Sequence, residues 1–267
     1  MKALTELYLQ QFRTTFAMMV QYRASLVIWM IGHVLEPVIY LVVWSAVSQG
    51  SGGKVGDYSP AEFAAYFLVL MLVNHVTYTW IMYEFESRIR DGILSFALLR
   101  PVHPIHSDIA DNICAKLVTL PFMVGIALGL GALFHPLLSP PWWSVAVFFP
   151  ALLLAFLVRG LLEWTLAQAA FWTTRVSAVN QGYFILMLFL SGQLAPLSLF
   201  PSFVQTIANI LPFRWMLGFP VELVLGRLSP AEALAGIGAQ AAWVLVSAAL
   251  LRVVWRAGLR TYSAVGA

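Results

Sequence analysis

The sequence predicts an all-α membrane protein with six transmembrane helices, and three observations carry that reading. Hydrophobic residues make up 61% of the 267, charged residues only 10%, and the mean hydropathy is +0.83. A water-soluble domain of this length needs a charged surface, which this composition cannot supply. The apolar residues also fall into six runs, each near or above the ~20 residues that a helix needs to cross a hydrocarbon core.

Residues 1–22 come first and predict an interfacial helix. Leu4, Leu7, Tyr8, Phe12 and Phe16 form an apolar stripe, with Glu6, Gln10 and Arg13 elsewhere, the pattern of a helix resting on a membrane surface. The same polar residues, with Gln11, argue against a signal-peptide core. The spans follow: Ser25–Ser48, about Phe63–Tyr83, Ile113–Phe134, a run from the Trp142-Trp143 pair to about Trp172, Val179 to about Pro196, and about Gly236–Trp255. Trp142 and Trp143 suit an interface anchor. Residues 193–220 are broken by Pro196, Pro201, Pro212 and Pro220, too often for a span, yet they are too apolar for a free loop. A re-entrant helical hairpin on the outer side, dipping into the leaflet and returning, fits them. The chain reads as one domain, with no internal repeat.

Positive charge orients the set. An inner N-terminus puts Lys2, Arg13, Arg23, Arg88, Arg90, Arg100, Lys116, Arg175, Arg252, Arg256 and Arg260 on the cytoplasmic side, leaving Lys54, Arg214 and Arg227 outside. Both termini are then cytoplasmic. The net charge of +3 reflects this bias, not nucleic-acid binding.

Enzyme chemistry finds little support. Gly50–Val55 is glycine-rich but lacks the P-loop spacing and the Ser/Thr after its lysine, so it reads as a flexible turn. No two of His33, His75, His103, His106 and His135 stand at i, i+4, and the lone Cys114 makes no disulfide, so no metal site is expected. His103 and His106 flank Pro104 in an expected solvated turn. No serine lies in a G-x-S-x-G context.

Ionisable groups inside spans are expensive, about 2.5–3.5 kcal/mol each on the insertion scale. Glu36 and Arg159 lie at matched depths of about 18 and 19 Å at 1.5 Å per residue, which predicts an ion pair between them. Glu163, four residues after Arg159, competes for the same guanidinium. Asn74 and His75 could glue helices together or touch a substrate. The aromatic residues, 14% of the chain, could line a cavity or face lipid.

The expected cytoplasmic segment 84–107 opens with Glu84, Glu86, Arg88, Arg90 and Asp91. Ile89, Ile93, Phe96, Ala97 and Arg100 follow at helical spacing, and Pro101 and Pro104 end the pattern. Such a helix could lie at the headgroups or insert into a partner protein. The run R-D-G-I-L-S-F-A-L-L-R-P, from Arg90 to Pro101, resembles the coupling segment of type-2 ATP-binding-cassette exporter permeases, in the compact branch with an L-L-R-P loop. The run S-G-Q-L-A-P-L-S-L-F-P, from Ser191 to Pro201, and I-L-P-F, from Ile210 to Phe213, resemble that family's fifth span and outer hairpin.

The resemblance covers the whole chain. It implies the permease subunit of an exporter in the bacterial inner membrane, paired with a second permease, identical or related, and driven by two cytoplasmic ATPases. ATP and magnesium would bind those partners, and this chain would carry no cofactor. Glu84, Glu86, Arg88, Arg90, Asp91, Gly92, Leu99, Arg100 and Pro101 would form the ATPase-coupling helix. Gly192, Pro196, Phe200, Pro201, Pro212 and Phe213 would form the extracellular gate. The alternative is a self-sufficient ion-coupled secondary transporter, using Glu36 and Arg159 as its coupling pair.

Overall fold

Two S-P-A-E tetrapeptides, Ser59–Glu62 and Ser229–Glu232, start two of the long helices. In each, the serine hydroxyl accepts the glutamate N–H while a glutamate oxygen accepts the serine N–H at 2.8 Å, and proline fills the first helical position. This reciprocal cap satisfies orphan N–H groups, and proline has none to satisfy.

The computed structural model describes residues 2–173 and 176–262. Arg175, assigned above to the inner side, lies outside the described residues, as do the side chains of Lys2 and Leu4. The helices run α1 Lys2–Gln21, α2 Arg23–Gly50, α3 Pro60–Thr77, α4 Ile81–Arg90, α5 Ile93–Leu98, α6 Ile105–Phe134 and α7 Trp142–Ala167. They continue with α8 Val176–Leu190, α9 Ser202–Ile210, α10 Phe213–Met216, α11 Gly218–Val224 and α12 Pro230–Thr261. No sheet occurs among the described residues.

Five units are long and apolar enough to cross a membrane: α2, α3 with α4, α6, α7 with the turn that follows it, and α12. The chain is therefore an all-α, multi-pass membrane protein. The fifth expected run is shorter than that. It ends at Leu190, not near Pro196, so α8 has 15 residues, about 23 Å at 1.5 Å per residue. Gly192 stops it. Its φ of 89° is left-handed, and a Cβ there would lie 2.5 Å from the Tyr66 hydroxyl. The freed carbonyls are met from other helices. Tyr66 donates to Gly192 O at 2.7 Å, and Trp44 Nε1 donates to Leu194 O at 2.8 Å.

The unit α3–α4 is central. Buried residues make up 67% of its apolar window, against 22% or less for the other four. Around it stand α2, α6, α7 and α11, with α12 on α7 and α1 along α6. One end of the bundle gathers α1, α5, the start of α6 and the end of α12, joined by contacts such as Ser95–Tyr262 at 2.7 Å. The other end carries α9, α10 and α11.

Close approach fixes α12. A Cβ on Gly236 would overlap the Phe219 ring, and one on Gly258 would overlap the Phe171 ring. Phe219 is buried and has no free space to yield. Gly236→Val should therefore lower the melting temperature in detergent by several degrees, on the order of 1–3 kcal/mol of overpacking. Gly238→Ala, where nothing lies within 4 Å, should hold or raise it. Equal melting temperatures for both variants would refute this packing.

Candidate functional site

α7 places Arg159 and Glu163 one turn apart on its buried face, 3% and 1% exposed. Arg159 Nε donates to Glu163 Oε1 at 2.8 Å. Its Nη1 donates to Asn74 Oδ1 at 2.7 Å and to Thr77 Oγ1 at 3.0 Å, while Thr77 donates onward to Val73 O at 2.9 Å. Tyr183 of α8 donates to Glu163 Oε1 at 2.9 Å, and Thr79 donates to Oε2. One ion pair thus ties α3, α7 and α8 together. Burying two charges costs several kcal/mol each, and such a pair stands only where hydrogen bonds fill its remaining sites, as they do here.

These bonds surround a break in the second span. Residues 78–80 separate α3 from α4, and hydrocarbon cannot satisfy the backbone so freed. Lys116 of α6 donates to Tyr78 O at 2.5 Å and to Asn112 Oδ1, and Asn112 Nδ2 reaches the same carbonyl at 3.4 Å. The Tyr78 ring lies 5.0 Å from His33 and 5.2 Å from the Arg159 guanidinium carbon. His75 bonds Thr119 at 2.8 Å through Nε2 and stands edge-on to His33 at 5.7 Å.

The expected Glu36–Arg159 pair is not formed. Glu36 is exposed on α2 and accepts from Gln193 Nε2 at 2.9 Å. Matched depth fixes height in the bilayer but not direction around the bundle, and α3 packs against both α2 and α7. Arg159 finds its carboxylate on its own helix. Asn74 and His75 each make an interhelical hydrogen bond. Sequence reasoning missed Thr77, Thr79, Asn112 and Tyr183, and placed Lys116 on the cytoplasmic side. A lysine inside the third apolar run was the available signal.

The segment 84–107 is not one amphipathic helix. Gly92, at φ 73°, breaks it between α4 and α5. Arg88 turns to the bundle, where it bonds Asp108 at 2.6 Å and the exposed Glu84 at 2.7 Å. Arg90 stays outside, near Glu86 at 3.9 Å and Asp91 at 3.3 Å. In α5, Leu94 is buried, whereas Ile93, Phe96 and Leu99 are 52%, 72% and 82% exposed, followed by exposed Arg100 and Pro101. His103 and His106 are half-buried, not solvated. His103 packs 4.6 Å from Trp255 and 5.4 Å from Trp164, His106 bonds Tyr8 at 3.3 Å, and burial, then the charge of His106, holds the His103 pKa below the ordinary value.

At the opposite end, Gly192, Pro196, Pro212 and Phe213 are buried, Phe200 is half-buried and Pro201 is exposed. Arg227 stacks 3.7 Å from the Tyr58 ring and bonds Glu62 at 2.9 Å. Burial is the main cause that pushes the Tyr58 pKa up to about 12.

The ion pair generates a test. Glu163→Gln leaves Arg159 without its countercharge and should cost about 3–5 kcal/mol, as breaking a buried pair does. Arg159→Met with Glu163→Leu should recover much of that loss in folded yield and thermal unfolding. Glu36→Gln should change either measure little, because its partners, the Gln193 amide and the Tyr40 hydroxyl, are neutral. Losses that simply add in the double variant would contradict the pair.

No curated protein matches the chain. A family model described as ABC-2 family transporter protein matches residues 34–266, a stretch that includes the polar cluster, α5 and the α9–α11 end. By that match, over most of its length, the chain belongs to the ABC-2 family of membrane transporter proteins.

Proposed function

We propose that this chain is the permease subunit of an ATP-driven exporter, working as a pair with a second permease, identical or related, and two cytoplasmic ATPases. The observation that carries this is α5, a short helix turned out of the second span by Gly92, with Phe96 and Leu99 exposed in front of buried Leu94. Apolar side chains held out on a helix anchored to the core suit insertion into a partner. Arg90, Asp91, Glu86, Arg100 and Pro101 surround them as a polar rim. ATP and magnesium would be bound by that partner.

In this reading α8 is the fifth of six spans, completed by the bend at Ser191–Ala195, and residues 193–220 close the outer end as a re-entrant hairpin. Gly192, Pro196, Phe200, Pro201, Pro212 and Phe213 shape that closure. The positive charges place both termini and α5 inside, in an inner membrane. The ion-coupled secondary transporter relied on a Glu36–Arg159 pair, and the two groups bond different partners.

Two experiments test the reading. Phe96→Glu with Leu99→Glu should release the co-purifying ATPase and abolish vanadate-sensitive ATP-driven transport while insertion stays normal. Loss of a hot-spot anchor of about 2 kcal/mol predicts a roughly 30-fold weaker association. Full transport by this variant would place the docking site elsewhere. Topology has its own readout. Ser198 and Ser202 are exposed and the lone Cys114 is buried, so Ser198→Cys and Ser202→Cys should label from outside with a membrane-impermeant maleimide. Labelling only from the cytoplasmic side would reverse the orientation.

A further inference from the structure

At the end of the bundle that carries α1 and α5, a cavity of about 320 Å³ opens between α1, α4, α6 and α7. Its deeper wall is apolar, built from Ile81, Phe156, Leu157 and Leu161, with Trp80 and Trp164 presenting indole rings. Of the charged side chains that line it, Arg88 and Asp108 lie in the last turn of α4 and the first turn of α6, at the bundle end, and Glu84 and Asp111 lie about one turn further in. The cavity is therefore graded along the helices, apolar towards the bilayer centre and charged towards the surface.

Its charge does not balance. Arg88 is the one cation among the described residues that line it, and it is shared by Glu84 and Asp108. Asp108 also accepts from Trp164 Nε1 at 2.8 Å. Asp111 takes only neutral donors, Gln11 Nε2 at 2.8 and 2.9 Å and Thr15 Oγ1, both from α1. The nearby Lys116 turns its ammonium to Tyr78 O and Asn112. Three carboxylates thus face one guanidinium around a half-enclosed space, where incomplete solvent screening strengthens attraction to a cation. Two indoles add faces that suit an ammonium group.

We infer that this cavity binds an amphiphile with a single ammonium-type head, the head among Glu84, Asp108 and Asp111 and the apolar body against Phe156, Leu157 and Leu161. The volume lies at the small end of ligand pockets, which fits one chain or ring system, not two acyl tails. The inference goes beyond the exporter reading, because it concerns binding to this chain with no ATPase present. The gradient matches the way such a molecule lies in a leaflet, tail inward and head at the surface.

The test uses the full chain in nanodiscs of phosphatidylcholine, with dodecyltrimethylammonium below its micelle-forming concentration as the probe. Dodecanol and dodecyl sulfate share its tail and lack its charge or reverse it. The wild type should bind the ammonium compound at least about tenfold more tightly than dodecanol, read by thermal shift and native mass spectrometry. Glu84→Gln and Asp111→Asn should each weaken it by about tenfold, and the amide oxygen that Asp111→Asn introduces can still accept from Gln11. Gly160→Leu, which fills the apolar wall, should abolish binding while size-exclusion chromatography reports intact protein. Competition by lysophosphatidylethanolamine, which carries one acyl chain, would identify a lipid headgroup as the source of the ammonium, and no competition a free amphiphile. Equal affinity for dodecanol, or unchanged binding in all three variants, overturns the proposal.

Discussion

In hydrocarbon a backbone carbonyl freed from its helix has no water to turn to, and each one left unpaired costs several kcal/mol. This chain breaks its helices repeatedly, and the polar side chains of its spans answer the breaks. Lys116 and Asn112 meet Tyr78 O where α3 gives way to α4. Tyr66 and Trp44 meet Gly192 O and Leu194 O beyond α8. Gln240 meets Trp215 O at 2.8 Å at the end of α10, and Ser144 meets Leu223 O in the last turn of α11. Much of the polarity inside the bundle is thus explained by backbone, before any substrate is invoked.

The Arg159–Glu163 pair belongs to the same logic at higher stakes. Its hydrogen bonds reach Asn74 and Thr77 above the break, Thr79 within it, and Tyr183 on α8. The second span is therefore two rods joined by side chains as much as by main chain. α3 is held in the centre of the bundle, and α4 leads directly to the Gly92 turn and α5. α4 thus links the polar cluster, at its first turn, to the Gly92 turn and α5 at its last.

The five long spans and their order were legible because span length and composition are dictated by the bilayer, residue by residue. The fifth run was misjudged because hydropathy does not register a left-handed glycine. Gly192 ends α8 while the sequence stays apolar to Pro196. The site was half legible. Arg159, Glu163, Asn74 and His75 stood out as polar residues in apolar runs, and all four lie in or beside the cluster. Which carboxylate Arg159 takes was not legible, since depth is encoded in sequence position but azimuth depends on helix packing. The α4–α5 segment failed for a local reason, because a glycine at positive φ resets the helical phase and voids a periodicity counted across it.

Glu36 is what the cluster leaves over. It is exposed at mid-span on α2, and its hydrogen bonds go to neutral donors, the Gln193 amide and the Tyr40 hydroxyl. A carboxylate facing acyl chains costs about 2.5–3.5 kcal/mol even on the lenient insertion scale, and neutral donors offset part of that. Ile31, Leu35, Ile39, Val42 and Val43 of the same helix are also exposed, and lipid suits them without further help. Ile39 and Val43 share the face of α2 that bears Glu36, so the carboxylate stands among apolar neighbours. Water or protein against it removes the charge penalty, and both a translocation pathway and a second permease provide such a surface.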